Sequence, residues 1–380
     1  MNLIVLYLSF ISYFTHCADI IKVQLSRNSG HIEVRLSFGE PPQLVFIPID
    51  IRNHFTWINP FIYTKESSRT VTLIQEDALT INNKVVTSML LEDNINFPIN
   101  DITLNQFLFF YVKYKESTSS NGAIGLSYKV TSTKISFVHQ LYEKRLISKK
   151  AFGLYYSLEK EKGFLYLGGF PLEITSKFPY TSACDVNNGN QQWGCKLDFS
   201  FTSSDRYNIK MISSIAYFNS TEYYTYIPRD YMEYLNKTVF NKYYKNKQCS
   251  YIDFIDKAGV SCNCNSLDDF PDIYFVIANS YFRFSKEHLF YQFDTACSFL
   301  MRYAKGSNDW MFGDSFMLRY PIQFSYADHE IRFYSESNFE YKEKIAKPSK
   351  KSVRYVYTLM IVILLVSIIF LYVIKKNNIL

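Results

Sequence analysis

The cysteines are the first residues whose type and spacing suggest a chemical role, either in disulfides or in a metal site. Seven cysteines occur, and Cys17 lies in an N-terminal apolar segment that is predicted to be removed. The remaining six are Cys184, Cys195, Cys249, Cys262, Cys264 and Cys297. An even number in a secreted body predicts three disulfides, although six cysteines permit fifteen pairings. The spacing of Cys262 and Cys264 also occurs in metal sites, but no histidine lies near it. Disulfides are therefore favoured, and no metal or other cofactor is predicted.

Other common catalytic and binding patterns are incomplete. Gly125-Leu126-Ser127-Tyr128 begins like the nucleophile elbow of a serine hydrolase, but Lys129 stands where a second glycine is needed. Gly163, Gly168 and Gly169 punctuate a predicted hairpin and do not form a phosphate-binding loop. The six histidines show no metal-type spacing. These patterns therefore supply no catalytic centre.

Short segments rich in Val, Ile, Phe and Tyr predict a mainly β body. The clearest of them are residues 31–38, 44–49, 107–114 and 273–278. Turn signals such as Gly39-Glu40-Pro41-Pro42 separate the segments. Helical patterns are few, and the best are residues 135–144 and 229–244. The pattern favours an all-β fold with a few short helices over a βαβ alternation.

Several of these segments resemble, in the same order, the motifs of the pepsin-like aspartic proteases. Gly39-Glu40-Pro41-Pro42-Gln43 resembles the Gly-Thr-Pro-Pro-Gln hairpin of that family, and Asp50 and Trp57 follow at the spacing of its first catalytic loop. Further matches lie at residues 121–128, 163–169, 270–275 and 310–316. The last two resemble Leu-Pro-Asp-Ile-x-Phe and Trp-Ile-Leu-Gly-Asp-x-Phe. The resemblance implies a two-lobed β fold, with one lobe over residues 22–175 and the other over residues 176–338.

The resemblance implies a peptidase mechanism in which two aspartates, one from each lobe, share a proton and activate a water. Two carboxylates about 3 Å apart cannot both ionise, which provides one base and one acid. In the family a hydroxyl residue follows each aspartate and locks the loop, and a glycine N–H then binds the carboxylate. Here Asp50 is kept, but Ile51 and Arg52 take the hydroxyl and glycine positions. We therefore expect Arg52 to crowd the loop and to hold Asp50 ionised.

The second loop departs further from the family pattern. Asn219 takes the position of the second aspartate, Ser220 keeps a hydroxyl and Thr221 replaces the glycine. An amide cannot act as a general base, and Glu222 would have to reach the site around a different turn to replace it. Asn219 also begins a glycosylation sequon, as does Asn236, and a glycan at Asn219 would require the loop to point outward. The sequence thus predicts a site with one carboxylate.

Three further features follow from the resemblance. The segment that would form the flap over the cleft, residues 81–87, contains neither Tyr nor Gly. The elements that the two loops would thread, residues 123–125 and 311–313, keep their apolar-apolar-Gly pattern. Similarity to the second lobe, with proximity in the sequence, implies three disulfides, and the choice between Cys262 and Cys264 stays open. The implied pairs are Cys249–Cys262, Cys264–Cys297 and Cys184–Cys195.

Both ends of the chain predict targeting segments. The apolar run within residues 1–18 is too short to span a membrane and is typical of a signal peptide. Residues 355–374 carry no charge and are long enough for a transmembrane helix. A basic stalk at 339–354 precedes them and a cytosolic tail at 375–380 follows. We expect a single-pass type I protein at the cell surface or in an endomembrane such as the lysosome, although the positive-inside rule alone favours the opposite orientation.

The distribution of charge argues against a nucleic-acid partner. The net charge is +6, and eight basic residues near the C-terminus account for more than this excess. They are Lys342, Lys344, Lys347, Lys350, Lys351, Arg354, Lys375 and Lys376. The body that precedes them is near neutral, so no nucleic-acid-binding face is predicted.

Two functions from different classes are compatible with this sequence. The first is a membrane-anchored pseudoprotease of the pepsin-like family, which binds peptide or protein in or around the cleft. The second is an atypical but active aspartic endopeptidase of the secretory or lysosomal pathway. Asn219 and Arg52 favour the first, because general acid–base catalysis needs both carboxyl groups and function has to be argued from the site.

Overall fold

Two large β-sheets organise the computed structural model, which describes residues 20–28, 31–81, 84–112, 122–129, 132, 135–157, 162–186 and 192–339. All the described residues belong to one compact unit, which ends at Phe339. The predicted signal peptide (1–18), the stalk beyond Phe339, the transmembrane helix (355–374) and the tail (375–380) lie outside the described residues. Among the described helices, none is long and apolar enough to cross a membrane.

The first sheet contains thirteen strands. They are β1 (Ile21–Asn28), β2 (His31–Phe38), β3 (Gln43–Asp50), β4 (Trp57–Ile58), β5 (Thr72–Ile81), β6 (Lys84–Phe97), β7 (Ile102–Val112), β8 (Gly122–Gly125), β9 (Ala151–Ser157), β10 (Lys162–Leu167), β11 (Tyr180–Asp185), β23 (Ile322–Ser325) and β24 (Glu330–Ser335). The last two, β23 and β24, come from the second half of the chain, and β23 pairs with β9 through Ile322 and Leu154. The C-terminal strands are therefore part of the same sheet as the N-terminal strands.

The second sheet contains eleven strands. They are β12 (Gly194–Thr202), β13 (Asp205–Phe218), β14 (Thr225–Ile227), β15 (Cys249–Asp253), β16 (Lys257–Asn263), β17 (Ile273–Ile277), β18 (Ser280–Phe284), β19 (Phe290–Phe293), β20 (Ala296–Phe299), β21 (Met301–Ala304) and β22 (Trp310–Phe312). The helices are short: α1 (Phe137–Glu143), α2 (Leu172–Lys177), α3 (Arg229–Leu235), α4 (Asn241–Lys245), α5 (Lys286–Leu289) and α6 (Asp314–Met317). A π-helical turn, Asn236–Phe240, joins α3 to α4. The mainly β class with few helices is confirmed.

Apolar and polar residues alternate along β2, which leads towards the first loop, and this alternation explains why the segment forms a strand with one buried face. One face of β2 is completely buried through Ile32, Val34, Leu36 and Phe38. The other face carries polar residues, as the two-residue period of a strand requires. The turn to β3 needs Gly39, because its φ is +79° and a Cβ there would lie 2.6 Å from the Ser68 hydroxyl oxygen.

The hydrophobic cluster that contains Trp193 spans both sheets, and Trp193 is fully buried in it. The indole ring contacts the rings of Phe152 and Phe324 from the first sheet. Its Nε1–H donates a hydrogen bond of 2.7 Å to the carbonyl of Leu126, just after β8. This residue therefore connects the start of the second sheet to the strand beneath the first loop.

Three cysteine pairs lie at disulfide distance, and they are the pairs that the resemblance implied. Cys184 of β11 meets Cys195 of β12, with Cα atoms 5.8 Å apart, and so links the two sheets. The other pairs, Cys249–Cys262 and Cys264–Cys297, lie within the second sheet and its adjoining turn.

Candidate active site

The first loop holds the carboxylate of Asp50 at the end of β3. The Asp50 side chain is buried, with 6% of its surface exposed. Its Oδ1 accepts hydrogen bonds from the backbone N–H groups of Arg52 (2.9 Å) and Asn53 (3.3 Å). Its Oδ2 accepts a hydrogen bond from the Asn53 side-chain amide. The loop's own donors therefore bind both carboxylate oxygens.

Arg52 does not disturb this loop, contrary to what the sequence led us to expect. Its backbone does not adopt the positive φ that favours glycine, and its N–H still donates to Asp50. Its side chain is exposed, and among the described residues no ion pair joins it to Asp50. Crowding is avoided because the side chain leaves the loop towards solvent while the backbone keeps the hydrogen bond.

The second loop holds the amide of Asn219 at the end of β13. Only 1% of this residue is exposed. Its Oδ1 accepts hydrogen bonds from the N–H (3.0 Å) and the hydroxyl (2.8 Å) of Thr221. Its Nδ2 donates to the sulfur of Met311 at 3.0 Å. The amide thus repeats the turn that Asp50 makes, with the residue two positions later as the donor.

Two glycines show that the loops are equivalent. A Cβ on Gly125 would lie 2.3 Å from the carbonyl oxygen of Phe55, and a Cβ on Gly313 would lie 2.3 Å from that of Tyr224. Each carbonyl belongs to the fifth residue after the loop's leading polar residue. Since each loop passes over a glycine at the same point, Asn219 stands where the first loop has its aspartate.

The strand pairings repeat the same relation. Trp57 pairs antiparallel with Ala123, and Tyr226 pairs antiparallel with Met311. Both aromatic residues come seven positions after the polar residue that leads their loop. The apolar-apolar-Gly elements predicted from the sequence therefore contact the loops in the expected way.

Ser220 joins the two loops directly. Its hydroxyl oxygen accepts a hydrogen bond from the N–H of Ile51 (3.1 Å) and donates one to the carbonyl of Ile49 (2.7 Å). Ser220 is completely buried, and 1% of Ile51 is exposed. Ile51 has no hydroxyl with which to form the reciprocal pair of bonds. The connection between the loops therefore depends on one side chain.

Glu222 is engaged elsewhere. Its Oε2 accepts a hydrogen bond from the Tyr226 hydroxyl at 3.2 Å, and its backbone carbonyl accepts one from Asp314 N at 2.8 Å. Within the described part of the chain, no hydrogen bond connects its carboxylate to Asp50. Nothing in this arrangement makes Glu222 a second acid.

Asp314 is a buried carboxyl whose role the sequence did not indicate, although it lies within a matched motif. Only 1% of it is exposed, and within the described part of the chain neither carboxylate oxygen has a hydrogen-bond partner of standard geometry. Burial raises the pKa of Asp314 well above its ordinary value, and the charge of Glu222 adds to this. The Arg27 guanidinium and the backbone of Ile32 oppose the shift only in part. The buried site therefore favours the protonated, uncharged form of the Asp314 carboxyl.

The segment predicted to form the flap packs against the first loop through apolar contacts. Ile81 and Val86, which flank the hairpin turn between β5 and β6, are buried in a cluster with Phe55 and Trp57. The indole Nε1–H of Trp57 is buried without a hydrogen-bond partner within the described residues. The flap base therefore holds the loop by hydrophobic contact rather than by a polar one.

A cavity of about 310 Å³ opens beside the two loops. It is lined by Arg52, Gln192, Tyr217, Phe218, Asp309 and Met311. A larger cavity, of about 420 Å³, lies between β13 and α3 and contains neither loop. In the described part of the chain, no group of three or more His, Cys, Asp or Glu side chains could hold a metal ion. The smaller cavity is the one placed to receive a ligand at the site.

These features define a two-lobed β protein whose lobes each contribute one loop to a shared site. A family model described as eukaryotic aspartyl protease matches residues 59–335. The chain therefore belongs to the eukaryotic aspartyl protease family. The matched stretch includes Asn219, whereas Asp50 precedes it. A comparison with curated proteins returns no match.

Replacing Ser220 with Ala should lower the free energy of unfolding by about 2–4 kcal/mol, because the N–H of Ile51 and the carbonyl of Ile49 would both be buried without partners. Ser220→Thr keeps the hydroxyl and serves as the matched control. Urea denaturation followed by tryptophan fluorescence measures both. Equal stability of the Ala and Thr variants would contradict the role given to this hydroxyl.

The contribution of Asp314 to stability should decrease as the pH rises. Below the ordinary aspartate pKa of 3.8, the folded and unfolded chains both hold the proton. Between that value and the raised pKa of Asp314, only the folded chain keeps it, so each step up in pH favours unfolding. Asp314→Asn resembles the protonated form and should remove this contribution. Chemical denaturation over a pH series measures the difference between wild type and variant, and a constant difference would contradict the assignment.

Asp93 provides a buried comparison for Asp314. It accepts hydrogen bonds from the hydroxyls of Tyr63 and Thr70 and from the N–H of Asn94. Asp93→Asn would place amide protons against these donors, so it should destabilise the fold across the same pH series. The two variants therefore separate the effect of an unpartnered carboxyl from that of a bound one.

Asn236 should carry an N-linked glycan and Asn219 should not, when the chain is produced in cells that glycosylate. The Asn219 amide nitrogen is buried, whereas Asn236 is partly exposed and uses only its oxygen, as acceptor from the Tyr244 hydroxyl at 2.8 Å. Mass spectrometry of glycopeptides checks this, with Asn236→Gln as the control that should remove the glycan. A glycan on Asn219 of the folded protein would show that the second loop lies elsewhere.

Proposed function

We propose that this family member is catalytically impaired and that it binds peptide or protein in or around the cleft between its lobes. The observation that carries the proposal is the position of Asn219. It stands in the second loop where the first loop has Asp50, and its oxygen and nitrogen are both engaged, with Thr221 and Met311. An amide in that place can neither share a proton with Asp50 nor act as a general base.

The missing second carboxylate affects the acid–base step, on which the family's mechanism depends. One carboxylate cannot hold the single shared proton that separates a base from an acid at the same site. Each proton-transfer role contributes roughly 10²–10⁴-fold to the rate, so the absence of the pair leaves little catalysis. Arg52 adds a second obstacle, because its side chain lines the cavity beside the loops.

Retention of the cleft supports binding as the remaining function. The glycines over which both loops pass are kept, as is the Ser220 connection between the loops. The cavity of about 310 Å³ falls within the usual size of ligand sites. A scaffold that keeps a shaped, partly polar cavity without a catalytic pair suits recognition better than hydrolysis.

An atypical endopeptidase is the second candidate, and one observation favours it. The Asp50 carboxylate keeps the backbone donor of Arg52, so the first half of the catalytic geometry persists. The activity assay below separates the two functions.

Purified protein should cleave no general acid-protease peptide between pH 3 and 7, because only Asp50 remains. Asn219→Asp alone should stay inactive, since Ile51 still lacks the hydroxyl and Arg52 still lines the cavity. The combination of Ile51→Thr, Arg52→Gly, Asn219→Asp and Thr221→Gly should gain activity. Fluorogenic peptide hydrolysis measures all three proteins. Cleavage by the wild type that Asp50→Ala abolishes would establish the endopeptidase instead.

We further propose that the chain is a type I membrane protein with the cleft outside the cytosol. The uncharged residues 355–374 support this, since about 20 such residues span a bilayer. A C-terminal tag should be digested when protease is added to intact vesicles, while the body is protected. Gel analysis with a detergent-treated control measures both. A tag that is protected from the protease would show that the C-terminus lies inside the vesicle, and would contradict the proposed orientation.

A further inference from the structure

One cationic and one anionic residue, Arg52 and Asp309, line the cavity beside the loops. Arg52 comes from the first loop, and Asp309 directly precedes β22, which underlies the second loop. Within the described residues neither side chain takes part in an ion pair, and the Asp309 carboxylate accepts one long hydrogen bond of 3.4 Å from the Ser307 hydroxyl. Arg52 and Asp309 therefore line the same cavity but form no ion pair with each other.

The lining between these charges suits a peptide. Met311 provides apolar surface, and Gln192 provides an amide that can donate and accept hydrogen bonds. A guanidinium presents a planar fork of N–H groups that matches a carboxylate, so Arg52 is suited to an acidic side chain. Asp309 is correspondingly suited to a lysine or arginine of the ligand.

We propose that Arg52 and Asp309 select an extended peptide segment in which an acidic residue is adjacent to a basic residue. Successive side chains of an extended strand point to opposite sides, so two neighbours can meet two charges that come from different sheets. The inference rests on the proposed peptide-binding function and names the chemistry of the ligand. It also assigns Arg52, at a position where the family has glycine, a role in specificity.

The experiment uses purified full-length protein in detergent and four fluorescent ten-residue peptides that differ only at two central positions. These positions hold Glu-Lys, Lys-Glu, Glu-Gln or Gln-Lys in an otherwise uncharged sequence. Fluorescence anisotropy should show that one of the two doubly charged peptides binds at least about tenfold more tightly than either singly charged peptide. Arg52→Glu should weaken that binding by at least about tenfold. Lys144→Glu, an exposed charge reversal outside the cavity, should leave it unchanged.

Reversal of both charges provides the test that a folding defect cannot imitate. The double variant Arg52→Glu, Asp309→Arg should prefer the peptide with the opposite order of charges. Equal binding of all four peptides, or a double variant with unchanged preference, would overturn the charge assignment and leave the peptide-binding function standing. Failure of all four to bind the wild type would count against both proposals.

Discussion

The hydroxyl of Ser220 is the contact on which the geometry of the site depends. It binds the N–H of Ile51 and the carbonyl of Ile49, so it fixes the relative position of two loops that lie 169 residues apart in the chain. Because all three groups are buried, water cannot replace these bonds if they break. The two loops are therefore held together by a buried polar contact.

The fold tolerates the loss of the second carboxylate because the amide of Asn219 satisfies the same local hydrogen bond. Its Oδ1 accepts the N–H of the residue two positions later, as the Oδ1 of Asp50 does. The turn requires an oxygen acceptor and not a charge. Chemistry and folding are thus separable at this position, since catalysis needs a titratable group and the loop does not.

The buried carboxyl groups of Asp93 and Asp314 differ in the hydrogen-bond donors that surround them. Asp93 receives donors from Tyr63 and Thr70, whereas Asp314 has none of standard geometry. A carboxylate without donors in a buried place pays the full cost of desolvation unless it takes up a proton. The second lobe therefore contains a group whose protonation is coupled to folding.

The sequence alone determined what depends on local pattern and order. The strands at His31–Phe38 and Ile273–Ile277 were predicted at nearly their observed bounds, because their apolar residues alternate or form a short buried run. The family followed from motifs in a fixed order, and the family match confirms it. The predicted helix at 229–244 is interrupted by a π-helical turn, which no local sequence pattern predicts.

Only the tertiary structure decided how the site is arranged. It placed Arg52 in the lining of the cavity, buried Asn219 and, among the described residues, left Asp314 without a hydrogen-bond partner of standard geometry. Each of these outcomes depends on groups that are distant in sequence and adjacent in space. A sequence specifies which groups are available to a loop, but burial and the direction of a side chain are set by the strands that pack around it.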